Sequence, residues 1–527
     1  MQDIVLADTK LGPPSQEKTR LAAMDIGTNS IRCIIVEADP QGNFRVLDDE
    51  KAMVRLGEGL TETGFISEMA KNRAIDALQR MAKISVGLKA EVAAVVATSA
   101  VRKALNRNEF LRQVKDATGL DIKVISGAEE ADLATLSVHH NFAMDQQRYG
   151  MADIGGGSVE IVIATGHHAE TIISLELGAV FLTEKYLHSD PGSSSEIKKL
   201  RKHIRKALKR NGIGDGLPVT CLIGSGGTMT NIGSMVMAMR GEQYETVHRY
   251  EVLHSEIIHL LAMLSRKTHK ERLNIPGLNP ERADIILAGM ILTDELMRQM
   301  RTNQLRINAQ GIREGLILKS LQKRGLIPVQ PKSRDWRDSI LEFARSCRFD
   351  ELHSTQVDRL AKKIFSAVAK QNGLTARHKQ LLEAGALLHD IGYFISYNQH
   401  HKHSYHLIRH ANLFGFTPWE KEIIANLARY HRKAKPKISH DNFSSLSAED
   451  QILVRKLGGI LRLADGLDRC RNRQVSDIEC KLRKNVFELR LFGNNDLSVE
   501  LYGAESKGNL FRSAFNCRLV ATTEEQK

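Results

Sequence analysis

Two carboxylates bracket a run of three glycines in Asp153-Ile154-Gly155-Gly156-Gly157-Ser158-Val159-Glu160, with apolar residues on either side. Glycines let backbone N–H groups converge where side chains would collide, so such a turn can wrap an anion. Two carboxylates repel a bare phosphate, and they make sense beside one only if a divalent cation sits between. Alone, the stretch reads equally as a glycine hairpin with a polar exit. A second copy tips the balance. Asp25-Ile26-Gly27-Thr28-Asn29-Ser30, 128 residues upstream, has the same Asp-Ile-Gly start, the same Ser five positions on, and an apolar run behind it. That spacing is the size of a domain, not of a solenoid repeat. A duplicated strand–Asp–Gly turn–strand unit puts two phosphate hairpins face to face across a cleft.

The elements around each hairpin alternate. In the first half, 21–24, 31–36 and 44–48 read as strands, 67–84 carries apolar positions at helical spacing, and 91–97 is β-rich. A strand at 122–125 leads to Ser126-Gly127-Ala128-Glu129-Glu130-Ala131 at a helix start. The second half repeats the order, with strands at 150–154, 159–164 and 170–177 and helices at 179–187 and 194–211. A strand at 220–223 feeds a third glycine turn, Gly224-Ser225-Gly226-Gly227-Thr228, and one at 305–308 leads through Gly311-Ile312-Arg313-Glu314-Gly315 into a closing helix. This alternation predicts an α/β fold with a buried sheet in each half. Residues 1–19 read as a loose tail. Two prolines mark 327–337 as a boundary, beyond which 338–470 is helical throughout. From 475 to 521 the pattern turns β-like again, with 486–492 and 497–501 read as strands flanking Gly493-Asn494-Asn495-Asp496.

Charge narrows the partners. Lys+Arg outnumber Asp+Glu by 75 to 62, a net +13 that favours polyanions without choosing among them. Aromatic residues at 5% argue against base-stacking platforms, so nucleic acid is a disfavoured partner. Six cysteines without metal-ligand spacing read as reduced thiols of a cytoplasmic protein. The N-terminal stretch has no apolar signal-peptide core, and no apolar run is long enough to span a bilayer. The helix at 196–210 carries Lys198, Lys199, Arg201, Lys202, Arg205, Lys206, Lys209 and Arg210 around Ile197, Leu200, Ile204 and Leu208. It reads first as a solvated amphipathic helix and second as a track for a long polyanion.

In this order, the two Asp-Ile-Gly hairpins, Ser126-Gly127-Ala128-Glu129-Glu130-Ala131, Gly224-Ser225-Gly226-Gly227-Thr228, Pro276-Gly277-Leu278 and Arg313-Glu314-Gly315 resemble the exopolyphosphatase / guanosine pentaphosphate phosphohydrolase family of the actin-like ATPase and sugar kinase superfamily. The resemblance covers nearly the whole chain. It implies duplicated actin-like (ribonuclease H-like) domains at 20–145 and 146–327, an all-α HD-type domain at 338–472 and a small α+β unit at 473–527. It also implies a homodimer that removes terminal phosphate, with Mg2+, from inorganic polyphosphate, guanosine pentaphosphate (pppGpp) or both. The basic charge puts polyphosphate first and pppGpp second. A kinase of the superfamily would need an acceptor pocket that no motif supplies. A chaperone or filament subunit would leave Glu130 without a use.

Residue by residue, Glu130 matches the family's catalytic base, which orients and deprotonates water, while Glu129 reads as structural. Thr28, Asn29, Ser30, Gly155, Gly156, Gly157, Ser158, Gly226, Gly227 and Thr228 are expected to hold phosphate, and Asp25, Asp153 and Glu160 the Mg2+. Arg102 and Arg282 match family positions that face the cleft, and Arg32 lies just past the first hairpin turn; each can fork onto phosphate oxygens. In the helical region His353, His389-Asp390 and Asp465 match the H…HD…D pattern of HD-domain phosphohydrolases, with His401, His403 and His431 as supplements. The set is expected to bind a second divalent metal (Mn2+, Fe2+ or similar); the alternative is a scaffold of buried hydrogen-bonded pairs. A separate nucleotide phosphohydrolase reaction there is a further alternative.

Overall fold

Strand β1 (Thr19–Ile26) is buried on both faces. Ala22, Met24 and Ile26 pack with Ile31, Cys33 and Ile35 on one side, and Leu21 and Ala23 with Ile34 and Val36 on the other. A strand covered on both faces must be apolar at consecutive positions, which is why 21–24 and 31–36 lack clean alternation. The computed structural model describes residues 18–40, 42–144, 146–214, 218–329, 335–493 and 496–525. The expected tail up to residue 17, the centre of the boundary at 327–337 and the tip of the turn at 493–496 lie outside them.

In the first sheet β1 pairs antiparallel with β2 (Ser30–Ala38), and β2 with β3 (Phe44–Met53); β4 (Glu91–Ala97) and β5 (Lys123–Val124) add in parallel on the other side. The order is β3-β2-β1-β4-β5. The second sheet holds β6 (Arg148–Ile154), β7 (Val159–Thr165), β8 (His168–Leu175), β9 (Leu222–Ser225), β10 (Glu251–Leu253) and β11 (Gln304–Asn308). Its order β8-β7-β6-β9-β11 reproduces the first sheet in order and pairing sense, and β10 is added antiparallel at the edge. The fold is a duplicated actin-like one.

Two helices exchange between the halves. The helix Gly127–Asn141 follows β5 of the first sheet, yet its Ala131, Ala134 and Val138 pack on Met151, Val162 and Ile223 of the second. The helix Ile312–Lys323 follows β11 of the second sheet, yet Ile312, Leu316, Ile317 and Leu321 join Leu21, Ala23, Ile34 and Val36 of the first. The sheets fall on either side of residue 145, and these helices cross it. Where they meet, Glu314 is buried and accepts from Ser137 Oγ and Asn141 Nδ2, both at 2.6 Å. A buried carboxylate doubly satisfied in this way fixes the crossing point.

The chain divides into two compact units. The first contains both sheets. The second takes Met237–Tyr250 together with everything from Asp335 on, so part of the range read as the second actin-like domain packs with the helical region. Arg249, for example, donates to the Leu413 carbonyl. In this unit the long helices Glu351–Val368, Ala376–Leu388, Pro418–Tyr430 and Ala448–Gly466 share one core with a small sheet of β12 (Asp477–Arg483), β13 (Val486–Gly493) and β14 (Arg518–Glu525). The segment from 473 has no separate core. The expected strand at 497–501 is instead the start of the helix Ser498–Lys507. Leu497, Glu500, Gly503 and Ala504 are its buried positions, at helical spacing, and Gly503 lies so close to Gly466 that a Cβ there would meet the Gly466 carbonyl oxygen at 2.0 Å. Close packing against the long helix decides over the period-two pattern. Among the described residues no helix is long and apolar enough to cross a membrane.

Candidate functional site

Both hairpin turns close with one hydrogen bond, Gly27 N to Ser30 O at 3.1 Å and Gly155 N to Ser158 O at 3.0 Å. The tight closure bends the chain so that residues 27–30 and 155–158 line one cavity of about 110 Å³ in the first unit. The turns touch. A Cβ at Gly156 would lie 2.9 Å from Thr28 Cβ, and one at Gly157 would lie 2.7 Å from Ser99 Oγ. Gly226, at φ +91°, lets the third turn approach the second, because a side chain there would meet Ile154 O at 2.6 Å and Asp153 Oδ1 at 2.8 Å. Gly226 and Gly227 open the helix Gly227–Met239, so a helix N-terminus joins the cavity wall.

Asp25, Asp153 and Glu130 line the cavity, and Glu160 is fully buried behind it. Burial pushes Asp25 up to about 6, against the pull of Arg313 and Arg32. Burial and then the Asp25 charge push Asp153 to about 6, and burial and then Asp153 push Glu160 to about 7. Glu130 is raised well above the usual carboxylate range by burial and the Glu160 charge, which outweigh Arg102. Asp25 Oδ1 is buried without a hydrogen-bond partner. Four carboxylates held up by one another, one with an orphaned oxygen, form a site short of positive charge.

The adjacent glutamates divide cleanly. Glu129 Oε2 accepts from Ser126 N at 2.9 Å, its Oε1 takes Lys123 Nζ at 2.5 Å, and Ser126 Oγ accepts from Glu129 N, a capping box that turns the side chain outward. One position along the helix, Glu130 therefore points into the cavity. Arg102 is not on the cavity wall; its Nη1 donates to Ile125 O at 2.7 Å and to Glu130 Oε2 at 3.2 Å. Arg32 and Arg282 do line the cavity. Burial, then Arg32, brings Arg282 down to about 10. Thr228 turns away, its hydroxyl oxygen 2.7 Å from where a Cβ of Gly289 would sit, and Thr230 lines the wall in its place.

Sequence reasoning passed over Ser99, Gln310 and Arg313, which also line the cavity. Arg313 had a signal: it follows a strand and a glycine at a helix start, as the third turn does. Arg201 and Arg205 of the basic helix are not free for a polyanion, because they pair with the buried Asp294 and Glu295 at 2.5–3.1 Å.

In the second unit the four expected HD-pattern residues converge. His353 Nε2 lies 3.5 Å from Asp465 Oδ1 and 3.9 Å from Asp390 Oδ2, and His389 Nε2 lies 3.6 Å from Asp390 Oδ2. Of the supplements, His431 reaches Asp390 at 3.3 Å, whereas His401 and His403 do not join the cluster; His400 does, at 3.2 Å. Adjacent helical positions differ by about 100° in direction, and the sequence pattern picked the wrong neighbours.

A duplicated sheet with facing Asp–Gly hairpins, a glycine turn at a helix N-terminus and a buried carboxylate over the gap defines an actin-like phosphate-handling protein. Residues 34–324 match the model of the Ppx/GppA phosphatase family, and 337–501 match Ppx/GppA phosphatase, domain III. The chain belongs to this family. Similar solved structures include the Ppx/GppA family member of Aquifex aeolicus (28% identity, TM-score 0.52, covering 58% of this chain and 99% of that one). An exopolyphosphatase from Cytophaga hutchinsonii is 27% identical, with a TM-score of 0.55 over 58% of this chain and 98% of that one. An exopolyphosphatase-like protein is 25% identical, with a TM-score of 0.54 over 59% of this chain and all of that one.

Proposed function

We propose that this phosphatase is an exopolyphosphatase, hydrolysing the terminal phosphoanhydride of inorganic polyphosphate. The observation that carries the reading is Glu130 facing the same cavity as both glycine hairpins and both hairpin aspartates. The orphaned Asp25 oxygen and the raised Asp153 and Glu160 fit a divalent cation, which we take as Mg2+. Bound there, it would neutralise phosphate oxygens as charge develops. The chain's own residues do the rest. Backbone and hydroxyl groups of 28–30 and 156–158 grip the terminal phosphoryl group from opposite walls, and Arg32, Arg282 and Arg313 bind its oxygens and those of the next phosphate. Glu130 accepts a proton from the water that attacks in line, and Arg102 fixes the carboxylate's direction.

Among the described residues the cavity wall contains no aromatic side chain, so it suits phosphate rather than a nucleobase. With the net charge of +13, this puts polyphosphate before pppGpp. Phosphate release from each substrate, without any acceptor, by the wild type and Glu130→Gln tests the reading. Loss of both activities in Glu130→Gln, with polyphosphate the faster substrate in the wild type, is expected. Faster pppGpp turnover reassigns the substrate, and unaffected release by Glu130→Gln removes the proposed base.

A further inference from the structure

Each of the two exchanged helices borders two openings. The helix Gly127–Asn141 turns Glu130 into the glycine-hairpin cavity, while its Glu129 and Leu133 line a second groove behind it. The helix Ile312–Lys323 does the same: Ile312 and Arg313 line the cavity, and Leu316, Lys319, Ser320 and Lys323 line the groove. The openings are thus about one helical turn apart, roughly 5.4 Å along each axis. The groove holds about 420 Å³ and lies wholly in the first unit, a size that suits a small molecule.

Floor and rim differ in character. Ala93, Ala94, Val96, Ile125, Leu133 and Leu316 make an apolar floor, and the short side chains of Ala93 and Ala94 leave the space above them open. The rim is charged, and most of that charge is spent. Lys123 pairs with Glu129, Asp121 with Lys115, and Arg324 with Glu91. Lys319 and Lys323 are exposed, and neither has an ion pair or hydrogen bond among the described residues. They stand one turn apart on one helix face, two unneutralised ammonium groups beside an apolar floor. An apolar body gains by leaving water on that floor, and an acidic head meets the ammonium groups, whose stems lie along it.

We infer that this groove is an effector site for a small anion with an apolar body, an aryl or acyl carboxylate or sulfonate. Phosphate alone would leave the floor wet, and a neutral apolar molecule would leave both ammonium groups unused. The path from groove to cavity is short. Leu133 and Leu316 share one core with Val96, Ile125 and Ile312, and Ile312 is also on the cavity wall. At the helix crossing a Cβ on Gly315 would fall 2.1 Å from Leu133 O. A crossing packed this closely transmits a displacement instead of absorbing it. A ligand resting on Leu133 and Leu316 therefore shifts Glu130 and Arg313 relative to each other. This coupling rests on the exopolyphosphatase reading of those two residues; the binding does not.

The test uses the full chain and two dyes with the same apolar body, 8-anilinonaphthalene-1-sulfonate and its uncharged parent N-phenyl-1-naphthylamine. Fluorescence titration reads affinity, circular dichroism reads folding, and phosphate release reads turnover. The wild type is expected to show a saturable sulfonate site that Ala94→Trp removes. Lys319→Glu combined with Lys323→Glu, both at exposed positions, should weaken the sulfonate about tenfold and leave the uncharged dye nearly unchanged; this pair decides should Ala94→Trp not fold. The sulfonate should change KM for tripolyphosphate, or for pppGpp if that is the faster substrate, about threefold in the wild type and not in the double variant. A sulfonate affinity untouched by these substitutions, or an equal loss of both dyes in the double variant, overturns the site. Binding without a change in KM overturns the effector role. Because binding is titrated without substrate, a chain that binds the sulfonate yet turns over neither substrate refutes the exopolyphosphatase reading and the effector role together, and leaves the site standing.

Discussion

Arg32 and Glu160 stand at the same place in two copies of one hairpin: Arg32 lies opposite Asp25 in the first sheet, and Glu160 lies opposite Asp153 in the second. The duplication kept the aspartate and reversed the charge across from it. One wall of the cavity is thereby suited to phosphate oxygens and the other to a cation. Glu160→Gln should raise the Mg2+ concentration needed for half-maximal rate by about tenfold while KM for polyphosphate changes little; Arg32→Gln should do the reverse. Steady-state rates with Mg2+ and substrate varied independently separate the two. If both substitutions move the same parameter, the division of labour is wrong.

Glu129 and Glu130 offer a control built into one helix turn. Glu130→Gln removes the proposed base and should lower kcat about 10²- to 10⁴-fold at unchanged melting temperature. Glu129→Gln weakens the capping box and the Lys123 pair, costing about 0.5–1 kcal/mol of stability, and should leave kcat intact. A kcat loss of equal size in both variants would contradict the assignment.

Protons would compete with the proposed cation in this cleft. Asp25 and Asp153 titrate near 6 and Glu160 near 7, all above their ordinary values. From about pH 4 to about pH 7 the folded protein therefore binds more protons than the unfolded chain, and this contribution to stability falls as pH rises. The size is a few kcal/mol, reduced because the groups titrate as a set. Cation binding needs the ionised forms, so the Mg2+-induced rise in Tm should grow from about pH 5 to about pH 8, while Tm in chelator falls. Melting curves with EDTA and with Mg2+ measure both, and Asp25→Asn should flatten the trends. A Mg2+ effect independent of pH would dismiss this account.

The crossing of the two exchanged helices leaves no room for a methyl group. A Cβ at Gly315 would lie 2.1 Å from Leu133 O and 2.7 Å from Leu133 C, both backbone atoms. Gly315→Ala must push the helices apart, at about 1–3 kcal/mol or more. Because residues 127–141 carry Glu130 and 312–323 carry Arg313, the shift should also raise KM. Thermal melting and steady-state kinetics check both. Unchanged stability would mean that the helices slide freely.

The parts of this molecule that repeat were the parts legible in the sequence. Both Asp-Ile-Gly hairpins announce themselves because a tight glycine turn tolerates few residue types, and the strands beside them because double burial demands unbroken apolar runs. The helix exchange was not legible: Val138 and Leu316 are ordinary apolar positions whose partners lie on the other sheet. His400 was missed in favour of His401 and His403, because a helix face can be chosen only once its packing is known. The strand expected at 497–501 failed for a related reason, since Leu497, Val499 and Leu501 alternate while Val499 is exposed and Glu500 is buried.

The basic helix Ser194–Arg210 separates into two kinds of charge. Leu200, Ile204 and Leu208 anchor it, and Arg201 and Arg205 are bound to Asp294 and Glu295, whose side chains are fully buried. Lys198, Lys199, Lys202 and Lys206 face solvent. Arg201→Ala removes one partner from Asp294 and Glu295, which keep His254, Arg298 and Arg205, and should cost about 1.5–3 kcal/mol, seen as a lower Tm. Replacing the four lysines by Glu should leave Tm nearly unchanged, since exposed charges contribute little to stability. If this face guides a long polyanion, the fourfold variant raises KM for long-chain polyphosphate far more than for short chains, and the difference shrinks as salt rises. Equal effects on long and short chains would reduce the lysines to a solvated surface.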